Sequence, residues 1–265
     1  MTDNLFYKTV LSIAGSDSIG GAGIQADIKT CSALKVYAMT AVTAITAQNS
    51  TGVHGVEAVS AEFVGRQLEA VVSDVVPDAI KIGMLPNAEV ATVVAEFLER
   101  HRPANVVVDP VMQSTSGWPL SDDGVKQILL DRIIPAAAIV TTNIPEAESL
   151  SGISGDPLAC AERLRDTTGV RCVMVKGGHN PVDGHVIDLL LLGDKVFSYK
   201  KRFIDTPNTH GTGCALSSAI AAQLARGRGY ELAVRRAIGW LHRAIEKGAG
   251  IEMFHGHGPV NHCYE

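Results

Sequence analysis

The chain has 265 residues, of which 46% are hydrophobic, enough to build the core of one α/β domain. Its formal net charge is −5 and it has no long run of lysine and arginine, which argues against a nucleic-acid-binding surface and fits a protein that acts on small molecules. We see no signal peptide, and no apolar run approaches the roughly 18 residues that cross a membrane. The five cysteines lie far apart without a CxxC pattern, which predicts free thiols and a cytoplasmic location.

Short apolar strands alternate with amphipathic helices along the chain. We predict strands at 10–14, 40–47, 79–82, 106–108, 138–140 and 172–175, followed by an antiparallel pair at 188–192 and 196–203. Helices are predicted over 24–31, 63–75, 90–98, 125–133, 158–164, 216–224 and 232–245, with another that begins at Pro145. Ser60 and Asn87 are the expected N-caps of the second and third helices. This alternation predicts a largely parallel sheet covered by helices on both faces, in a single domain over residues 1–265.

Candidate functional residues follow most of the predicted strands. Because ligands bind beyond the carboxyl ends of parallel strands, we expect these residues to converge on one edge of the sheet. Each of them taken alone is an ordinary turn residue, but six groups at one edge predict a site. The groups are Gly15-Ser16-Asp17, Gln48-Asn49, Gly83-Met84, Asp109, Asn143 with Glu146, and Lys176.

The turn Gly211-Thr212-Gly213-Cys214 opens a helix that carries apolar residues at i, i+4 and i+8. The first N–H groups of a helix have no partner within it, and the helix dipole adds positive charge there, so the turn predicts an anion site, most often for phosphate. Cys214 lies at the start of this helix, where the same field favours a thiolate. The alternative is a common glycine turn beside a small buried cysteine.

An anion site, a nearby lysine and two separated carboxylates together suggest phosphoryl transfer. Lys176 would reach phosphate oxygens, and Asp109 and Glu146 would hold Mg²⁺ directly or through water. The alternative roles are structural: a surface amine at a strand end for Lys176, and a favourable charge in the first helical turn for Glu146.

Two further patterns compete with this interpretation. The segment Gly21–Ala26 fits the dinucleotide pattern G-x-G-x-x-A, which suggests an oxidoreductase, but its first glycine lies several residues past the strand and no acidic residue ends the second strand. The P-loop pattern G-x-x-x-x-G-K-[ST] is absent. His255, His257 and His262 lie in a Gly/Pro-containing tail, which we interpret as a polar tail rather than a metal site.

From about Val10 to His262, the sequence closely resembles the bacterial hydroxymethylpyrimidine/phosphomethylpyrimidine kinases of thiamin biosynthesis, in the ribokinase-like superfamily. The motifs that carry the resemblance are Ala14–Asp17, Gly20–Asp27, Thr46–Asn49, Lys81–Leu85, Asp109–Met112, Asn143–Glu148, Val175–His179 and Asn208–Cys214.

The resemblance implies a three-layer α/β/α ribokinase-like fold and a homodimer. It also implies ATP- and Mg²⁺-dependent phosphorylation of 4-amino-5-hydroxymethyl-2-methylpyrimidine, and then of its monophosphate to the diphosphate. The resemblance further implies that Cys214 is the catalytic base and that Gly211, Thr212 and Gly213 form an anion hole. The other implied roles are pyrimidine binding by Gly15, Asp27, Gln48, Met84 and Val111, nucleotide binding by Asn143, Glu146, Lys176, Thr209 and Thr212, and Mg²⁺ binding by Asp109 and Glu146.

Three positions depart from the family pattern. Ile19 stands where a small polar residue is common, Thr142 replaces a proline, and Gln113–Gly117 lacks a lysine that bears on the second phosphorylation. The near alternative is a pyridoxine or pyridoxal kinase on the same fold, since that ring also carries a hydroxymethyl group. A ligand-binding module without chemistry is the third alternative.

Overall fold

The computed structural model describes residues 7–112, 120, 122–178 and 181–264, and its centre is one nine-stranded sheet. The strands lie in the order β3-β2-β1-β4-β5-β6-β7-β8-β9, and the six from β2 to β7 are parallel while β3, β8 and β9 are antiparallel to their neighbours. The strands are β1 (Thr9–Asp17), β2 (Tyr37–Asn49), β3 (Gly52–Ala58), β4 (Ala79–Ile82), β5 (Val106–Val108), β6 (Ile139–Asn143), β7 (Cys172–Lys176), β8 (His185–Leu192) and β9 (Lys195–Arg202).

Helices cover both faces of the sheet. They are α1 (Gly23–Ala33), α2 (Ala61–Val72), α3 (Ala88–His101), α4 (Asp123–Ile128), α5 (Ile144–Ser151), α6 (Pro157–Thr168), α7 (Thr212–Ala225) and α8 (Tyr230–Gly248). Alternate side chains of the central strands enter two separate apolar clusters, one under α2 to α6 and the other under α1, α7 and α8. The predicted three-layer α/β/α sandwich with a mostly parallel sheet is therefore confirmed, and so are the N-caps Ser60 and Asn87, which accept from the N–H groups of Phe63 and Val90.

Three elements differ from the prediction. Strand β3 was not predicted, because its sequence holds two glycines and most of its residues are partly or fully exposed where it pairs with the end of β2. Strand β1 continues to Asp17, so Gly15 lies within the strand. The helix expected over 125–133 ends as an α-helix at Ile128 and continues as one π-helical turn over Leu129–Ile133. The segment Gln113–Gly117 lies outside the described residues.

A fully buried ion pair joins β4 to α1. The Nζ of Lys81 lies 3.0 and 2.9 Å from the two carboxylate oxygens of Asp27, and both side chains are 0% exposed. The hydroxyls of Ser12 and Ser218 also donate to this carboxylate, so α7 is tied to the same pair. Burial opposes the charge on Lys81, yet the attraction of Asp27, Cys214 and Asp109 together outweighs it and raises the pKa of the lysine.

We expect Lys81→Met to lower the free energy of unfolding by about 3–5 kcal/mol, because the variant leaves the Asp27 carboxylate buried without its counter-charge. Urea denaturation measures this loss. The matched control is Lys81→Met combined with Asp27→Leu, which removes both charges and should recover most of the stability. Equal losses in the single and double variants would contradict this account.

The C-terminal segment folds back onto two loops. The N–H groups of Gly256 and His257 donate to Ser50 in the β2–β3 turn, at 3.1 and 2.8 Å. At the next residue, the carbonyl of Gly258 accepts from the N–H of His210 at 3.0 Å. This segment thus braces the loop that precedes α7. None of the described helices is long and apolar enough to cross a membrane, and all five cysteines are free.

Candidate active site

A cavity of about 640 Å³ opens at the carboxyl ends of the parallel strands, as the sheet topology requires. Of the site residues predicted from the sequence, all but Asp27, Asn49 and Gly83 line it. The lining residues among them are Gly15, Ser16, Asp17, Gln48, Met84, Asp109, Val111, Asn143, Glu146, Lys176, Thr209, Gly211, Thr212, Gly213 and Cys214. The expectation for Asp27 is wrong: its side chain is held by Lys81 and the two serines in the core, so it cannot contact a ligand.

The anion cradle is the first turn of α7. Gly211 adopts φ +78°, and a Cβ there would clash with the carbonyl of Gly21, so the turn requires glycine. The N–H of Thr212 donates to the carbonyl of Thr209 at 3.2 Å. Among the described residues, none accepts from the N–H groups of Gly213 and Cys214. These two donors therefore face the cavity at the positive end of the helix dipole.

Asp109 and Lys176 form an ion pair beside the cradle. The Nζ of Lys176 donates to Oδ1 of Asp109 at 2.9 Å, and the hydroxyls of Thr141 and Ser217 donate to the same carboxylate. Burial raises the pKa of Asp109, but the charges of Lys176 and Lys81 and the hydrogen bonds from Lys176 and Thr141 together outweigh burial and lower it overall. Burial likewise opposes the charge of Lys176, whose pKa is raised by Asp109 and then by Glu146. A cationic amine is thus fixed next to the cradle.

Glu146 combines a structural role with a place in the cavity. Its Oε2 accepts from the N–H of Asn143 while Oδ1 of Asn143 accepts from the N–H of Glu146, each at 2.8 Å, which is a capping box at the start of α5. Burial raises the pKa of Glu146; Lys176 lowers it and Asp109 raises it further. The two carboxylates therefore carry more negative charge than Lys176 compensates, an arrangement that favours an additional cation.

Cys214 lies at the start of α7, is half-buried and is one of the residues that line the cavity. The sequence-based expectation of a lowered pKa is wrong. Desolvation raises the pKa of this thiol to about 11; Lys81 and a hydrogen bond from the N–H of Gly23 lower it, while Asp27 and Asp109 raise it. In the ligand-free protein the thiol is therefore protonated at neutral pH.

Because of this raised pKa, we expect the alkylation of Cys214 by iodoacetamide to accelerate about tenfold per pH unit from pH 7 to 9.5, without levelling off. Peptide-resolved mass spectrometry measures the rate at each cysteine, and Cys214→Ala identifies the signal. A rate that levels off with a midpoint at or below pH 8 would contradict the raised pKa.

Sequence reasoning missed two groups of lining residues. Thr46 and His210 lie beside Gln48, and the histidine reaches this place only because its loop folds against the end of β1, where it contacts Asp17. The other group comes from β8, β9 and α8 and lines the opposite end of the cavity. It comprises Val186, Asp188, Lys201, Arg202, Phe203, Ile204, Ile238, Leu241, His242 and Ile245. No pattern in the sequence indicates that this antiparallel pair reaches the site.

The family to which the chain belongs is shown by its similarity to known proteins. A family model described as phosphomethylpyrimidine kinase matches residues 17–261. The chain is 46% identical over 259 residues to the hydroxymethylpyrimidine/phosphomethylpyrimidine kinase of Rhizobium meliloti, and the match covers 96% of each chain. The chain belongs to the phosphomethylpyrimidine kinase family.

Solved structures agree with this membership. The phosphomethylpyrimidine kinase of Clostridium difficile 630 superposes with a TM-score of 0.79 and 40% identity over 90% of this chain and 99% of that one. A pyridoxal kinase of Bacillus subtilis, in an ADP complex, superposes with a TM-score of 0.88 and 32% identity over 97% of this chain and 98% of that one. The fold is thus ribokinase-like, and the family membership removes the support for a dinucleotide-dependent oxidoreductase.

Proposed function

We propose that this protein transfers the terminal phosphoryl group of ATP to the hydroxymethyl group of 4-amino-5-hydroxymethyl-2-methylpyrimidine, and then phosphorylates that monophosphate to the diphosphate, in thiamin biosynthesis. The proposal rests on one observation. The cradle of free N–H groups, with Lys176 and Cys214 beside it, lies in the middle of a cavity whose two ends differ in chemistry. One end presents the amide of Gln48, and the other end is largely apolar.

The pyrimidine binds at the Gln48 end. An amide offers both a donor and an acceptor, which match a ring nitrogen next to an exocyclic amine. Gly15, Met84 and Val111 line the same part of the cavity and supply apolar contact for the ring. The nucleoside of ATP occupies the opposite end, where Phe203, Ile204 and apolar side chains of α8 form the wall.

The phosphate chain of ATP lies across the cradle. The N–H groups of Gly213 and Cys214 and the amine of Lys176 neutralise the charge on the transferred group, and Asn143, Thr209 and Thr212 line the approach. The thiolate form of Cys214 accepts the proton of the substrate hydroxyl late in the transfer and becomes the thiol, since a loose transition state leaves the hydroxyl protonated until the new bond forms.

Asp109 and Glu146 bind Mg²⁺, directly or through water. Their uncompensated negative charge and their place at the phosphate path fit a cation that also contacts phosphate oxygens. Lys176 already occupies Oδ1 of Asp109, which favours contact with this residue through Oδ2 or through water. When bound, Mg²⁺ neutralises charge on the phosphates, and Lys176 supplies the fixed positive charge on the protein side.

Release of ADP, measured with ATP, Mg²⁺ and the pyrimidine alcohol and then with its monophosphate, tests both steps. We expect turnover with each. A protein that binds the alcohol but releases no ADP is a binding module and would overturn the proposal. The pyridoxal kinase likeness makes pyridoxal the second candidate substrate, and a much larger kcat/KM for pyridoxal than for the pyrimidine would establish that alternative.

We also propose a homodimer in the cytoplasm. The resemblance supports the dimer, the outer edge of β3 pairs with no other strand of the described sheet, and the free cysteines support the location. Sedimentation of the purified chain tests the dimer.

A further inference from the structure

The carboxylate of Asp17 accepts hydrogen bonds from the backbone of a loop and from a histidine. The side chain is 3% exposed, and its Oδ2 accepts from the N–H groups of Gly21 and Ala22 at 2.9 and 2.8 Å and lies 2.9 Å from Nε2 of His210. Its Oδ1 accepts from the N–H of Ile19 at 3.1 Å. Burial raises the pKa of Asp17, but the hydrogen bonds from His210 and the backbone outweigh burial and lower it. An ionised carboxylate only accepts, so Nε2 of His210 carries a hydrogen and donates it to Asp17.

This assignment constrains the amide of Gln48. One end of the amide lies 3.4 Å from Nε2 of His210, and the other end lies 3.1 Å from Oγ1 of Thr46. The single hydrogen on Nε2 is committed to Asp17, so an NH₂ group facing it would set donor against donor. The hydroxyl of Thr46 has one hydrogen, which the carbonyl of Ser16 takes at 3.0 Å. Both conflicts disappear when the amide oxygen faces His210 and the amide nitrogen donates to Thr46.

We propose that Asp17 and His210 act as positioning residues, which hold the Gln48 amide with its oxygen on the His210 side and thereby select a ring that carries an amino group next to the reacting hydroxymethyl group. The proposal rests on the proposed function. It assigns to this pair a role in the choice between the pyrimidine and pyridoxal.

The direction of the amide matters because it decides which ring group each end of the amide can pair with. The oxygen lies beside His210, the residue that precedes Gly211 in the chain. In the pyrimidine, the carbon next to the one that bears the hydroxymethyl group carries the amine, and the ring nitrogen follows. The amine then donates to the amide oxygen, and the ring nitrogen accepts from the amide nitrogen. In pyridoxal, the two carbons next to the one that bears the hydroxymethyl group carry an aldehyde and a hydrogen, and neither offers a polar hydrogen to the Gln48 oxygen. A polar atom left without its partner in this way disfavours the ring strongly.

The first experiment compares two rings of the same size. The 4-oxo analogue of the substrate presents a carbonyl and a ring N–H where the substrate presents an amine and a ring nitrogen, so donor and acceptor are exchanged. We measure kcat/KM for both rings, and for pyridoxal, with wild type, His210→Phe and His210→Gln. Phenylalanine removes the N–H that fixes the amide, whereas glutamine places an N–H near the former Nε2.

We expect the preference of wild type for the amino ring to fall by about tenfold or more in His210→Phe, with a parallel gain for pyridoxal relative to the pyrimidine, and to return towards wild type in His210→Gln. An unchanged preference in a folded His210→Phe would overturn the proposal. If that variant is inactive with both rings, calorimetric binding of the two rings gives the same comparison.

A second measurement needs no variant. Two-bond ¹H–¹⁵N spectra of the wild-type protein should show the His210 tautomer with its hydrogen on Nε2, and a neutral ring with the hydrogen on Nδ1 would overturn the proposal. Lack of turnover of the pyrimidine alcohol by wild type would instead refute the proposed function, while the tautomer would still test the Asp17–His210 pair.

Discussion

Cys214→Ala is expected to lower kcat for the pyrimidine alcohol by about 10²-fold or more while substrate binding is largely kept, because the variant removes the group that we propose accepts the hydroxyl proton. The raised pKa of the thiol adds a second expectation. Since the thiolate fraction grows with pH below about 11, the wild-type rate should increase from pH 7 to 9 and the variant's rate should increase less. The ratio of the wild-type rate to the variant's rate should therefore be larger at pH 9 than at pH 7.

Steady-state rates of ADP release across this pH range provide the measurement. Cys263→Ala is the matched control, since this cysteine is exposed and does not line the cavity. A ratio of wild-type to variant rate that stays constant across the pH range would mean that Cys214 only fills space and does not accept the proton. Wild-type turnover in Cys214→Ala would mean that positioning alone accounts for the rate.

Gly213→Ala is expected to lower kcat/KM for ATP by about 10²-fold or more without a loss of thermal stability. A Cβ at this position would lie 3.5 Å from both Oδ2 of Asp109 and Nζ of Lys176, in ordinary contact with the protein. The added methyl group would fill the space in which the transferred phosphoryl group must meet the N–H donors, and losing one such interaction costs about 10²–10³ in rate. Alanine in a helix is favoured over glycine, so the fold should not suffer.

Calorimetric melting and ATP-dependent ADP release together separate the two effects. Gly239→Ala is the matched control, because it also replaces a helical glycine and its Cβ would contact only Nη1 of Arg243, at 3.9 Å. We expect near wild-type rates from the control. Full activity of Gly213→Ala would place the phosphoryl group elsewhere in the cavity.

The sequence predicted the layers of this fold because the parallel strands are short, apolar and buried on both faces. Val106–Val108 and Cys172–Lys176 are examples in which neighbouring side chains enter opposite apolar clusters. The π-helical turn after Ile128 and strand β3 escaped prediction for a different reason. The turn lies within a stretch whose local periodicity is that of a continuous helix, and β3 holds two glycines and mostly exposed residues, so no apolar alternation marks it.

The position of the cavity could be predicted from the sheet topology. The partners and pKa values of the side chains around it could not. Strand ends brought Asp109, Asn143 and Lys176 together as expected. Two expectations failed because they required knowledge of three-dimensional surroundings: Asp27 is taken by Lys81 inside the core, and desolvation overcomes the helix dipole at the Cys214 thiol. His210 lacked any local signal, since its partner Asp17 is 193 residues away in sequence.

The brace formed by residues 256–258 has a consequence for biosynthesis. The Asp17 loop emerges from the ribosome early, the turn at 208–214 late, and the segment that ties His210 and Ser50 together later still. A nascent chain can complete its first parallel strands while the turn at 208–214 still lacks these contacts. The turn therefore gains its brace only after the C-terminal residues have left the ribosome.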